Sequence, residues 1–146
     1  MELRQHHLKG FTTFEVLIVI GMIGLLSALG VAGYVRAHQR ASLTAQTERV
    51  ATVLRQAQGN AQTAVKGRVW GVRCTGSTLE RYSVDGAVTA TDVQYQLASP
   101  VRCSGTFEVR FAKLTGRPSD NVDFIVTDDA TSKKVTVQKA GTIVAQ

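Results

Sequence analysis

The hydrophobic positions of this chain change their spacing twice. From residue 11 to residue 35 almost every side chain is apolar, small or hydroxylated, and the only ionisable groups are Glu15 and the phenol of Tyr34. From residue 36 to residue 66 apolar residues return every three or four positions, which is the spacing of one helix face. Beyond Gly67 apolar and polar residues alternate in short runs, as they do in strands. The pattern therefore predicts a long helix followed by a β domain.

The predicted helix has two different halves. No proline lies between residues 11 and 68, so the helix can run for about 55 residues, or about 80 Å. Its first half is apolar on every side, whereas its second half has one apolar stripe that must pack on another element. Gly67 is the expected end, because glycine readily adopts the left-handed conformation that follows many helices. The stripe consists of Leu43, Thr47, Val50, Leu54, Ala57, Ala61 and Val65.

The β part reads as a series of short strands separated by turn residues, such as Gly76-Ser77 and Asp85-Gly86. Because no helix lies between the strands, we expect one antiparallel sheet or two small sheets, with the amphipathic helix half packed on them. The predicted fold class is therefore α+β. The predicted strands cover residues 69–74, 78–84, 93–98, 106–114, 122–127, 134–139 and 142–145.

The charge of the chain is basic but dispersed. Its 146 residues carry a net charge of +6. Residues 36–146 hold 15 Lys and Arg against 9 Asp and Glu, so the whole excess lies outside the apolar block. The scattered basic residues are typical of a solvated surface, although a basic domain also suits nucleic acid, anionic lipid or an acidic partner protein.

The two cysteines, Cys74 and Cys103, have two interpretations. If the C-terminal part lies outside the cytoplasm, they pair as one disulfide. In a reducing cytosol they would be two free thiols. A metal site is not indicated, because the chain has no Cys-x-x-Cys and no histidine pair near them.

The apolar N-terminus has three possible interpretations. A cleaved secretory signal has a shorter apolar core and an Ala-x-Ala site, and this chain has neither. A plain membrane anchor needs about 20 apolar residues, which residues 16–35 supply, with Arg4 and Lys9 holding the N-terminus in the cytoplasm. Neither interpretation accounts for Glu15, because a carboxylate in hydrocarbon costs on the order of 3 kcal/mol.

Residues 9–15, Lys-Gly-Phe-Thr-Thr-Phe-Glu, resemble the processing site of the type IV pilins and of the type II secretion pseudopilins. That site has a short basic leader ending in Gly, an aromatic residue, a hydroxyl residue and a Glu five positions after the cut. The resemblance implies that a prepilin peptidase cleaves between Gly10 and Phe11, and that the new Phe11 amine is N-methylated. It also implies that Glu15 serves assembly by neutralising this amine in a neighbouring subunit or in its own chain.

The same resemblance implies a division of the chain and a location. Residues 1–10 are a leader that is removed, residues 11–35 are the transmembrane and filament-core helix, residues 36–66 are the amphipathic half, and residues 67–146 form the globular β domain. The precursor would cross the bacterial inner membrane once, with its C-terminal domain outside the cytoplasm. After processing it would enter a filament in the periplasm or at the cell surface.

The likeness continues, on commoner residues, through positions 50–146. Val69-Trp70-Gly71-Val72, the step from Phe111 to Gly116 and the closing Gly141-Thr142-Ile143 resemble the H-type pseudopilins and the FimT-like minor pilins. This resemblance implies the pilin fold.

We therefore expect a structural subunit, a minor pilin or pseudopilin, and not an enzyme. Its partners would be the prepilin peptidase and other pilins or pseudopilins. No histidine lies in residues 67–146, which removes most acid–base arrangements. No phosphate loop is found, and Asp128-Asp129 lacks the further oxygen ligands that calcium needs, so no cofactor or metal is expected.

The alternative function is a DNA-binding minor pilin that serves natural transformation. The basic domain favours it, since phosphate contacts are made by Lys and Arg. Some FimT-like pilins bind DNA through arginines after the terminal Gly, but residues 142–146 contain no arginine.

Overall fold

A computed structural model describes residues 11–146, except for the side chains of residues 29–32. Within this range the chain forms a 50-residue helix, α1 (Thr13–Gln62), a 3-10 turn (Val65–Gly67) and eight strands. The chain divides into two compact units between His38 and Gln39, a point inside α1. The second unit holds the amphipathic half of α1 and all of the strands.

The strands form two antiparallel sheets of four strands each. The first sheet has the order β3-β2-β1-β5 and the second has the order β4-β6-β7-β8. The layout is therefore α+β, as predicted. Of the two arrangements that the sequence left open, one sheet or two small sheets, the structure has two small sheets. The strands are β1 (Val69–Thr75), β2 (Thr78–Asp85), β3 (Val88–Gln96), β4 (Arg102–Cys103), β5 (Thr106–Phe111), β6 (Val122–Thr127), β7 (Ser132–Val137) and β8 (Ile143–Ala145).

The apolar stripe of α1 joins one core with both sheets. Thr47 sits in this core because its hydroxyl donates a 2.7 Å hydrogen bond to the carbonyl of Leu43, which leaves no unpaired donor. From the sheets, Trp70 and Phe111 of the first and Phe124 of the second complete the packing. The buried members of the stripe are Leu43, Thr47, Val50, Leu54, Ala57 and Ala61.

The helix ends at Gln62, so the prediction of an end at Gly67 was wrong. Ala64 and Lys66 adopt left-handed conformations, with φ of 49° and 55°. The amide of Leu114, from the loop after β5, donates a 2.8 Å hydrogen bond to the carbonyl of Ala61 and so caps the helix from outside. Val65, predicted on the buried stripe, consequently lies beyond α1 and is 36% exposed.

Gln58 ties the end of α1 to two further loops. Its side-chain amide donates to the carbonyl of Gly116, at 3.1 Å, and to the carbonyl of Gly141, at 2.8 Å. These glycines lie in the β5–β6 and β7–β8 connections. One side chain therefore fixes loops from both sheets against the helix.

Several strand bounds differ from the predicted ones. The third strand begins at Val88, five residues before the predicted start, and the strand predicted for residues 106–114 ends at Phe111. The strand predicted for residues 134–139 is shifted towards the N-terminus, and β4 was not predicted at all. With only two residues, β4 has no alternation that a sequence pattern could show.

The edge strand β3 contains a bulge. Arg81 pairs with Val93 but Tyr82 pairs with Thr91, so Asp92 is an extra residue of β3. The Asp92 carboxylate accepts a 2.6 Å bond from the Arg81 guanidinium. A bulge and a charge paired back into the sheet are two devices that discourage further strands from adding to an edge.

Candidate assembly site and the polar networks of the β domain

The N-terminal unit presents an apolar helix surface that its own chain leaves uncovered. Every described side chain between residues 11 and 38 is exposed. By its length and composition, α1 is long and apolar enough to cross a membrane. An apolar surface of this length must be covered by lipid or by another apolar surface.

Thr12 is the N-cap of this helix. Its hydroxyl accepts a 3.2 Å hydrogen bond from the amide of Glu15, and its carbonyl accepts one from the amide of Val16. Threonine followed three residues later by glutamate is the capping-box sequence. In this position the Glu15 carboxylate also faces the positive end of the helix dipole. Sequence reasoning treated Thr12 only as a hydroxyl residue, although the Thr-x-x-Glu spacing was visible.

Phe11, which precedes α1, and Glu15, in its first turn, lie beside each other. Together with Val16, Val19 and Ile20 they line a shallow groove of about 240 Å³. Phe11 itself is 83% exposed. The structure thus brings together the two residues that the resemblance assigns to the processed terminus and to assembly. Gly10, the other residue of the expected cleavage site, lies outside the described residues.

Cys74 and Cys103 form a disulfide bond that joins the two sheets. Cys74 lies in β1 of the first sheet and Cys103 in β4 of the second, with 6.2 Å between their Cα atoms. Both are buried in the common core. The bond therefore links the two sheets inside their common core.

The outer face of the first sheet carries a polar network centred on Glu108. The hydroxyl of Tyr82 donates a 2.6 Å hydrogen bond to Glu108 Oε1, and Arg110 Nε donates to the same oxygen at 2.9 Å. Arg73 Nε donates to Oε2 at 3.3 Å. The Arg73 guanidinium also lies 5.4 Å from the centre of the Tyr82 ring. Glu108 is thus bonded by three side chains from three adjacent strands.

This network shifts two pKa values in opposite directions. The hydrogen bond from Tyr82 contributes most to holding the pKa of Glu108 below its ordinary value, and the hydrogen bond from Arg110 and the positive charges of Arg73 and Arg110 add to it. Burial, and the hydrogen bond that its hydroxyl gives to Glu108, raise the pKa of Tyr82 to about 12. Sequence reasoning missed the network, because its members are far apart along the chain and meet only through strand pairing.

The two carboxylates of Asp128-Asp129 serve the turn between β6 and β7. Asp128 is buried, and its Oδ1 accepts the backbone amides of Ala130, at 2.8 Å, and Thr131, at 2.6 Å. These amide bonds lower the pKa of Asp128. Asp129 lies 3.2 Å from the Arg102 guanidinium. Among residues 11–146 no three His, Cys, Asp or Glu side chains are grouped so that they could hold a metal ion.

The sequence matches no family model, no curated protein and no solved structure. Its function must therefore be argued from the residues and contacts of the chain itself.

Proposed function

We propose that this chain is a minor pilin or pseudopilin, a structural subunit of a type IV pilus or of a type II secretion pseudopilus. Its precursor is held in the bacterial inner membrane by the first half of α1. A prepilin peptidase removes residues 1–10, and the apolar helix then moves sideways into a bundle of like helices. The β domain, which would adopt a pilin fold, stays outside the cytoplasm.

One observation carries the proposal: the exposed apolar half of α1 has a single carboxylate, Glu15, beside Phe11 in its first turns. To a plain membrane anchor this carboxylate offers only its favourable position at the positive end of the helix dipole. Cleavage before Phe11 would create an ammonium group close to it or to the same group in a neighbouring chain. A paired charge in an apolar bundle can fix the register between helices, whereas an unpaired one would be costly.

The disulfide supports the orientation. Structural disulfides persist in oxidising compartments such as the periplasm and are rare in the cytosol. The bond between Cys74 and Cys103 therefore favours a β domain on the outer side of the membrane.

The first experiment is mass spectrometry of the full chain isolated from cells with and without a prepilin peptidase. We expect the cells with the peptidase to yield a chain that begins at N-methylated Phe11. Cells without it should yield the intact leader. An intact leader in both would leave a simple membrane-tethered β domain.

The second experiment separates assembly from helix capping. Glu15→Ala should be processed normally but lost from filaments, because the charge partner of the Phe11 amine is gone. The matched control is Thr12→Ala, which removes the capping hydroxyl and keeps the carboxylate. We expect this control to be incorporated. Equal loss in both variants would mean that incorporation follows the stability of the helix start and not the charge of Glu15, and normal incorporation of Glu15→Ala would also remove its assembly role.

A further inference from the structure

The non-glycine residues with a left-handed backbone all lie close to the end of α1. Ala64, Lys66 and Leu114 are the non-glycine residues of the described chain that have a positive φ, at 49°, 55° and 69°. Ala64 and Lys66 follow the helix directly. Leu114 belongs to the loop whose amide caps Ala61.

This loop and the turn after the helix form one surface. An added Cβ on Gly67 would lie 3.7 Å from Lys113 Nζ, so the Lys113 side chain reaches the 3-10 turn. The carbonyl of Arg117 accepts the amide of Ala112, which closes the loop on itself. We name the exposed group Lys66, Lys113, Leu114 and Arg117 the Leu114 patch.

The Leu114 patch is basic around an exposed aliphatic side chain. Leu114 is 69% exposed. None of the three cations forms an ion pair with a carboxylate among residues 11–146. The β domain does pair other cations, among them Arg68 with Asp85 and Arg102 with Asp129. The patch therefore keeps its positive charge unneutralised.

The fold gives no reason for the side chains at positions 66 and 114. Glycine adopts φ near +60° without strain, whereas Lys and Leu do so at a cost. Both side chains are exposed, so packing does not compensate for that cost. The capping bond to Ala61 uses only the backbone amide of Leu114, which glycine would also supply.

We propose that the Leu114 patch is a docking surface for an acidic surface of a different protein. Leu114 enters an apolar pocket of that partner, and Lys66, Lys113 and Arg117 face its carboxylates. Apolar anchors surrounded by complementary charge are typical of protein interfaces. This inference does not depend on the assembly role proposed for the first half of α1.

Two other occupants fit the patch less well. A nucleic acid would be held by many phosphate contacts and, where single-stranded, by stacking on exposed aromatic rings. The patch has three cations and no aromatic residue. A second copy of this chain would bring a net charge of +6, and five of the ten Asp and Glu residues among residues 11–146 already pair with Arg or Lys.

The test is photo-cross-linking of the full chain in the cells that produce it. A benzophenone amino acid replaces Thr115, an exposed residue beside the patch, or, as a matched control, Val88, which is 67% exposed and lies at the start of β3. We expect an adduct at position 115 with one protein of negative net charge, and no such adduct at position 88. No adduct, the same adduct at both positions, an adduct with DNA, with a basic protein or with a second copy would each overturn the proposal.

Variants within the patch then separate docking from folding. Lys113→Glu should lower the adduct yield by about tenfold, while Arg55→Glu, the same charge change on an exposed helix position, should leave it unchanged. Lys66→Gly and Leu114→Gly should lower the yield similarly and yet raise the melting temperature, because they relieve the left-handed conformations. A lower melting temperature in the glycine variants, or an unchanged yield in Lys113→Glu, would overturn the proposal.

Discussion

Tyr82 covers Gly71 so closely that the glycine has no room for a side chain. The two residues are cross-strand partners in β1 and β2. A Cβ added to Gly71 would lie 2.5 Å from both Cζ and Oη of Tyr82 and 2.9 Å from the carbonyl oxygen of Val109. The close approach lets the Tyr82 hydroxyl reach Glu108, on the far side of β1. The hydrogen-bond network around Glu108 therefore depends on the lack of a Cβ atom at Gly71.

Gly71→Ala should accordingly destabilise the β domain. The added methyl must displace Tyr82 or separate β1 from β5, and overpacking of this kind costs about 1–3 kcal/mol. The measurement is denaturant unfolding of the full chain in detergent. Gly59→Ala is the matched control, since Gly59 lies in α1 with no atom within 4 Å of an added Cβ. It should stabilise by up to about 1 kcal/mol, because alanine is the better helix former. A Gly71→Ala chain as stable as the wild type would contradict the close packing.

Tyr82→Phe should remove the component of the tyrosine titration that has the raised pKa. The pKa of Tyr82 is raised to about 12, above the ordinary value of about 10. The hydroxyl therefore stabilises the fold fully below about pH 10 and loses that contribution as the pH rises through about 12. Ultraviolet absorbance of the phenolates should show a component near 12 that the variant lacks. The variant should also lose about 1 kcal/mol at neutral pH, the usual worth of one hydrogen bond. A wild-type titration without that component would contradict this expectation.

Asp128→Ala should loosen the β6–β7 turn at neutral pH and lose this effect in acid. The Ala130 and Thr131 amides lower the folded-state pKa of Asp128. Its stabilising contribution is therefore present above about pH 4, the ordinary value, and is lost as the pH falls through the lower folded value.

The measurement for Asp128 is the melting temperature of wild type and variant as a function of pH. The difference should be largest near neutral pH and shrink below about pH 4. Asp128→Asn is the control, because its amide oxygen can accept the same two N–H groups without titrating. A difference that does not change with pH would show that the charge of Asp128 is irrelevant to the turn.

Replacing both cysteines by alanine should destabilise the β domain without changing its fold. The two residues are 29 positions apart, and closing a loop of that length is worth about 3–4 kcal/mol in the chain-entropy model. Denaturant unfolding of the double variant and of the reduced wild type should show similar losses. A reduced wild type that unfolds at the same denaturant concentration as the oxidised protein would contradict the expected contribution.

The spacing of apolar residues along the chain predicted much of this architecture. Leu43, Val50 and Leu54 recur at helical intervals because one side of α1 meets the core, and the strand over residues 122–127 alternates because only one of its faces is buried. These features are local, so a sequence pattern can reveal them.

Features that depend on distant residues were not predictable in the same way. The helix stops at Gln62 because Ala64 and Lys66 turn left-handed and Leu114 supplies a cap from a later loop. The early start of β3 was hidden because the extra residue, Asp92, interrupts the alternation after Val88. At the N-terminus the pattern pointed to Phe11 and Glu15, whereas the part played by Thr12 became clear from its hydrogen bond.

The bulge at Asp92 has a consequence for crowding. The nine-residue edge strand β3 has backbone amides and carbonyls that could pair with a strand of another chain. This risk is largest where many copies are close together. Asp92, turned back onto Arg81, spoils the regular register that an incoming strand would need. When copies of the domain lie side by side, the bulge therefore works against sheet pairing between their β3 edges.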